Sequence, residues 1–278
     1  MSRVELAAVA RLDAGEVLRS RWLVVCLVVY GLLGGIFVLV GLRESNVLGF
    51  TGVGRVLFSL CHALVLFLPL LALLATVQAV NRARDDGSLE LFLSHPIGRG
   101  AFLAGVTAVR LAALALPLAA VMLALATEGA LVHGQEIPWA FFGRALAVCV
   151  ALLVAYVGVG LATSVLVRHP ARAMTLVFLV WTASVALLDF AGIALLLQWR
   201  VPAPAVFVLA AVNPVQAARM ALLSSAEPTL ATLGPVGFYL ANHVGRDALF
   251  ALGVAWPALV GMGGWMVAWL AFRRGDAV

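Results

Sequence analysis

Lysine is absent from this chain: all 18 of its basic residues are arginine. That excludes a Walker A nucleotide site, whose lysine reaches the terminal phosphates, so any ATP used must be held by another chain. Charge of either sign is scarce, at 11% of residues against 64% hydrophobic. The mean hydropathy is +1.10. No soluble domain of 278 residues needs so much apolar sequence, which gives an all-α polytopic membrane protein as the class. Cysteine is rare too. Cys26, Cys61 and Cys149 lie inside apolar runs and form no CxxC pair, indicating neither a disulfide framework nor structural zinc. There is no HExxH, no GxSxG and no pair of intramembrane carboxylates, so no catalytic constellation is visible. The arginines are spread over loops rather than gathered on one face, which argues against nucleic acid.

What is present is a series of apolar runs at 22–42, 56–80, 103–126, 145–167, 174–197 and 249–271. Each reaches the length of about 20 residues that crosses a hydrocarbon core, and six transmembrane helices are predicted. The first run is too long for a cleaved signal, and Glu5, Asp13 and Glu16 precede it. Trp22, Trp139, Trp199 and Trp269 fall at span ends, where an amphipathic ring prefers the headgroup region. Arg3, Arg11, Arg19, Arg21, Arg82, Arg84, Arg99, Arg168, Arg172, Arg273 and Arg274 fall on one side, and Arg43, Arg55, Arg200, Arg219 and Arg246 on the other. The excess marks the cytoplasmic side and places both termini there. Residues 1–21 read as an interfacial helix, with Leu6, Ala10, Ala14 and Val17 on one stripe and Glu5, Asp13, Glu16 and Arg19 mostly opposite. Gly31 and Gly35 offer a close-packing GxxxG face on span 1. The outer loop 198–246 holds apolar stretches at 205–212 and 215–224, separated by Asn213-Pro214. Two short re-entrant helices before the last span fit this pattern; a seventh span over 204–224 competes, against Asn-Pro and a central Arg219.

The loop 82–100 between spans 2 and 3 carries the polar island Asp85-Asp86-Gly87-Ser88-Leu89-Glu90-Leu91-Phe92-Leu93-Ser94-His95-Pro96-Ile97-Gly98-Arg99. Asp85, Asp86 and Ser88 are helix-start residues, and Leu89, Leu91, Phe92 and Leu93 give a short helix an exposed apolar surface. Pro96 stops it and pushes His95 out of the helical region. A short apolar helix held outside the membrane is suited to press on a partner.

This loop resembles that of type-2 ABC transporter permeases, in which an acidic-Gly-Ser/Thr-Leu opening and a Pro-x-x-Arg ending bracket the coupling helix that docks on the ATPase. The six-span layout, the leading amphipathic helix and the dipping segment are similar too. A narrower resemblance, to permeases serving copper-centre maturation of nitrous oxide reductase, rests on Leu48-Gly49-Phe50-Thr51, on His95-Pro96-Ile97-Gly98-Arg99-Gly100 and on Val212-Asn213-Pro214 with Arg219 after it. Two departures stand out: Val106 occupies the place of a usual lysine, whose contact Arg110 takes over a turn later, and Val215-Gln216-Ala217-Ala218 is plainer than the pattern. The resemblance implies a non-catalytic subunit in the bacterial inner membrane. Its partners would be a cytoplasmic ABC ATPase carrying ATP and magnesium, a second copy of itself and a periplasmic accessory protein. It assigns Asp85, Asp86, Gly87, Ser88, Leu89, Glu90, Leu91, Phe92, Pro96 and Arg99 to ATPase coupling.

Copper directs attention to soft ligands, namely Cys61-His62 in span 2 and Met262 with Met266 in span 6. Neighbouring residues on a helix point about 100° apart, and cysteine and methionine also fill membrane cores, so packing is the adopted reading and no metal site is assigned. Asp189 is the one acid deep within a span and is expected to face a cavity or the dimer axis, against the plainer reading of a hydrogen-bonded packing residue. Arg110 is expected to snorkel to headgroups. An exporter of an unrelated substrate is the alternative within the family. An ion-coupled secondary transporter, in another class, would show several mid-span charges and an internal repeat, neither of which is seen.

Overall fold

A computed structural model of the chain describes residues 3–41, 53–87, 89, 98–134, 136–187, 211–226 and 245–274. Every element among them is helical. The order is α1 (Arg3–Leu18), α2 (Arg21–Gly41), α3 (Val53–Thr76), α4 (Ala79–Asp85), α5 (Arg99–His133), α6 (Trp139–Leu166), α7 (Pro170–Thr182, running into a π turn at Ala183–Leu187), α8 (Pro214–Ala226) and α9 (Arg246–Arg274). Four stretches among the described residues are long and apolar enough to cross a membrane: Val53–Asp85, Arg99–Leu131, Trp139–Leu166 and Arg246–Arg274. The α1–α2 pair, bent by 67°, adds a fifth if taken as one span. Six spans are therefore not reached among the described residues. The expected run 174–197 is described only as far as Leu187.

α6 is the centre of the bundle, packing on α9, α3, α8 and α5. Without a hydrophobic drive in lipid, helices associate through close van der Waals contact, which small residues permit. Gly158, Gly261 and Gly264 do this between α6 and α9. A Cβ built on Gly158 would stand 2.1 Å from the carbonyl oxygen of Gly261, and one on Gly261 would stand 2.3 Å from that of Val154. The two backbones touch with no side chain between them. At two further contacts glycine makes room for a short side chain: Gly253 of α9 for Ala221 of α8, with the Ala217 carbonyl close by, and Gly160 of α6 for the Thr76 hydroxyl of α3.

α8 is 13 residues long, about 20 Å, and cannot cross. Its boundary explains the Asn213-Pro214 step. The Asn213 side-chain oxygen accepts from the Val215 amide at 3.1 Å, while its Nδ2 donates to the Ser184 carbonyl at 2.6 Å. Asn213 thus caps α8 and ties it to the π turn after α7. Pro214 suits the first helical position because its missing amide is not needed there. At the other end, Arg246 donates to the Ser225 carbonyl at 3.1 Å, placing a cation at the helix C-terminus. Val215, Ala218, Ala221 and Leu222 are fully buried, so α8 packs within the bundle. The expected stretch 205–212 lies mostly outside the described residues.

Candidate functional site

The loop singled out in the sequence hangs from two pillars. On its entry side, α3 ends at Thr76, the chain turns at Val77 and Gln78, and α4 restarts at Ala79. The restart leaves helical amides without intrahelical acceptors. Ser164 of α6 meets one of them, its hydroxyl accepting from the Val80 amide at 3.0 Å. Arg84 then reaches back to the C-terminal end of α6, donating to the Val165 carbonyl at 3.3 Å, the place where a cation favours a helix dipole. On the exit side, Arg99 opens α5 and donates from Nη1 to the Phe272 carbonyl at 2.9 Å and the Arg273 carbonyl at 3.1 Å, at the end of α9. Its guanidinium lies 5.9 Å from the centroid of the Phe272 ring. The loop therefore begins on the end of α6 and finishes on the end of α9.

These contacts revise several expectations. Asp85 and Asp86 do not start a helix. Asp85 is the last residue of α4 and Asp86 its C-cap, with the Asp86 amide donating to the Arg82 carbonyl at 2.9 Å. Gly87 ends the helix in the left-handed region at φ 67°, a conformation that glycine adopts without the Cβ penalty. Aspartate suits an N-cap, but the glycine directly after the pair is the stronger signal for a stop. Leu89, expected on an exposed surface, is fully buried, so it anchors the loop to its own bundle. Arg99, assigned with the loop to ATPase coupling, is bonded to the end of the last span. Ser88, Glu90, Leu91, Phe92 and Pro96, and the helix they were expected to form, lie outside the described residues, as does Asp189.

A second feature stands beside the loop. Arg110 of α5 and Asp13 of α1 form an ion pair at 3.0 Å, with side chains only 6% and 7% exposed. Arg110 also donates from Nη1 to the Ala75 carbonyl, one of the last of α3, where the break at Val77 leaves carbonyls without helical donors. One guanidinium thereby links α1, α3 and α5. This overturns two expectations: Arg110 does not snorkel to headgroups, and Asp13 is not on the solvated side of its helix. The buried stripe of α1 is Val9, Asp13 and Val17, with Leu6, Ala10 and Ala14 half-buried beside it. Val9 packs so closely that a Cβ on Gly105 of α5 would come within 2.7 Å of it. Sequence reasoning missed this pair, although an acid at the centre of a Val-x-x-x-Asp-x-x-x-Val spacing and a lone arginine in a span were both visible.

The soft-ligand candidates are not brought together. Cys61 is buried, His62 beside it is exposed on the other side of α3, and Met262 and Met266 are 56% and 48% exposed on α9. Among the described residues no group of three or more histidine, cysteine or acidic side chains is placed to hold a metal.

The sequence profile described as ABC-2 family transporter protein matches residues 7–272. The chain is 28% identical to the "Probable ABC transporter permease protein NosY" of Stutzerimonas stutzeri over 276 residues, which cover 96% of this chain and 97% of that protein. It is 33% identical over 97 residues, 35% of each chain, to the protein of the same description from Pseudomonas aeruginosa.

Proposed function

Because this chain belongs to the ABC-2 family of transporter permeases and is a multi-pass membrane protein, we propose that it is the membrane-spanning subunit of a transporter driven by a separate cytoplasmic ATPase, with both termini on the cytoplasmic side of the inner membrane. In this reading the segment 90–97, beyond the buried anchor Leu89, is the surface on which the ATPase closes, and ATP and magnesium belong to that partner. The observation that carries it is the seating of this loop on the ends of α6 and α9 through Arg84 and Arg99. A push on the loop reaches both helices through hydrogen bonds to their last carbonyls. The ATPase is co-expressed and pulled down with the chain. Leu91→Asp with Phe92→Asp is expected to abolish co-purification while leaving insertion and melting temperature unchanged; normal complex formation would overturn the assignment.

We further propose that the transporter serves assembly of the copper–sulfur centre of nitrous oxide reductase, together with a periplasmic accessory protein. Similarity over nearly the whole length of a NosY permease supports this. Reductase purified from a strain lacking the chain is expected to carry copper but no acid-labile sulfide. A reductase with a full sulfide content would instead leave export of an unrelated substrate. An ion-coupled carrier fits the described charges poorly, because the two buried ones, Asp13 and Arg110, neutralise each other.

The working unit is proposed to be a pair of these chains. A Cβ built on Gly31 or Gly35 of α2 would meet nothing within 4 Å, and Val28, Leu32 and Ile36 beside them are exposed, leaving a smooth strip on which a second backbone can lie. Native mass spectrometry of the complex is expected to show two copies, and Gly31→Leu with Gly35→Leu to leave one. A single wild-type copy bound to two ATPases would refute the pairing.

A further inference from the structure

The elbow between α1 and α2 encloses a cavity of about 560 Å³, within the range of ordinary ligand sites. Its two ends differ in chemistry. At one end stand Arg19, Arg21 and Arg82, whose guanidinium groups make no hydrogen bond or ion pair with any described residue, opposed by a single acid, Glu16. α2 begins here, and the start of a helix leaves amides without intrahelical acceptors. Ser20, just before the first turn, donates its hydroxyl proton back to the Val17 carbonyl at 2.6 Å. At the other end the wall is apolar, made by Val25, Leu71, Leu74 and Met174. Leu74 and Met174 also line a second, almost wholly apolar cavity of about 380 Å³, which continues along α7 past Thr175, Phe178 and Leu179. A site that is cationic at the elbow and continues as a greasy track along a span is shaped for one molecule with a charged head and a long tail.

We propose that these two adjoining cavities, which share Leu74 and Met174 in their walls, form one binding site for an anionic phospholipid, with its phosphate between Arg19, Arg21 and Arg82 and an acyl chain laid along Leu74, Met174 and Phe178. The shared chemistry is an oxyanion of phosphorus, which a soluble phosphate also offers, but the apolar continuation gives a free anion nothing to occupy. Basic pockets between membrane helices recognise such headgroups, each arginine near the surface adding attraction that salt weakens. The position gives the lipid a role in seating the elbow, because Arg19 and Arg21 flank the 67° bend while Arg82 belongs to α4, the entry pillar of the loop. Arg110, neutralised by Asp13, also lines this cavity, so occupancy would hold α1, α2 and α4 together beside the Asp13–Arg110 pair. The leaflet assigned to this lipid, the cytoplasmic one, rests on the orientation proposed above. The binding itself does not.

The test uses the full chain in detergent, which has no sidedness, so its outcome is independent of orientation and of the ATPase. Melting temperature is followed while dioleoylphosphatidylglycerol, dioleoylphosphatidylcholine or inorganic phosphate is added in mixed micelles. Phosphatidylglycerol is expected to raise it saturably, with phosphatidylcholine and phosphate inactive. Arg19→Gln/Arg21→Gln/Arg82→Gln is expected to weaken the response about a hundredfold. Arg273→Gln/Arg274→Gln, at the end of α9, is expected to leave it intact. Met174→Trp, at a position already exposed, narrows the junction of the two cavities without touching the core and is expected to weaken phosphatidylglycerol binding severalfold. Unchanged affinity in both the triple variant and Met174→Trp would overturn the proposal. So would an equal response to phosphatidylcholine, and stabilisation by inorganic phosphate alone would reassign the site to a soluble anion.

Discussion

Gly261→Leu is expected to prevent the bundle from forming. The added Cβ alone would sit 2.3 Å from the Val154 carbonyl oxygen and 2.6 Å from its carbon, atoms of a helical backbone that cannot rotate away as a side chain does. Overpacking against flexible neighbours costs about 1–3 kcal/mol, and a rigid neighbour places this substitution at or above that range. α6 is also the helix on which α3, α5 and α8 pack, so prising α9 from it disturbs the whole assembly. Gly263→Leu on the same helix is the internal control. Nothing lies within 4 Å of Gly263, and replacing a mid-helix glycine improves helix propensity by about 1 kcal/mol or less. Yield of monodisperse protein and thermal melting separate the two. Similar behaviour of both variants would show that the α6–α9 contact does not depend on bare backbone.

Asp13→Ala is expected to destabilise the protein by about 3–5 kcal/mol, because it leaves the Arg110 guanidinium buried with no counter-charge. The same charge removed together with its partner should cost little. Asp13→Leu/Arg110→Met replaces two desolvated ions with apolar groups of similar reach, an exchange that is often neutral or stabilising. The double variant is therefore expected to melt near the wild type while each single variant melts well below it, a non-additivity that marks direct coupling. Additive losses in the cycle would mean that the two groups contribute independently.

The apolar runs were legible because membrane helices are set by length and composition, and α2, α3, α5 and α9 start within four residues of where hydropathy placed them, α6 six residues earlier. The capped start of α8 was legible for a local reason as well, since Asn-Pro carries its own turn and N-cap chemistry. What escaped was every feature made by residues far apart in the chain. The break after Thr76 is fixed by Gly160 and Ser164, the depth of Asp13 by Arg110, and the use of Arg99 by the carbonyls of Phe272 and Arg273. Spacing along a single helix predicts what that helix would do alone, and a charge alone belongs in water. Asp13 lies in the core because its neutralising partner arrives from another span. The reading of Asp85 and Asp86 failed for a different reason. Aspartate is compatible with either end of a helix, and the glycine that follows decides between them.

The bare crossing of α6 and α9 also determines how the pair can move. Helices that interdigitate side chains are geared to one another, whereas two backbones meeting at glycine have no teeth to engage, and the point of contact acts as a fulcrum. From Gly261, α9 extends about 20 Å toward Arg274 and a similar distance toward Arg246, giving two arms of nearly equal length. The C-terminal arm of each helix is gripped near its tip, that of α6 by Arg84 and that of α9 by Arg99. From Gly158 the arms of α6 are unequal, about 10 Å to Val165 and about 28 Å to Trp139, so rocking the pair about this fulcrum carries the far end of α6 through nearly three times the travel of its gripped end. A small displacement at the gripped end of such a linkage becomes a larger one at the other, and no solute need pass between the helices for it to be transmitted.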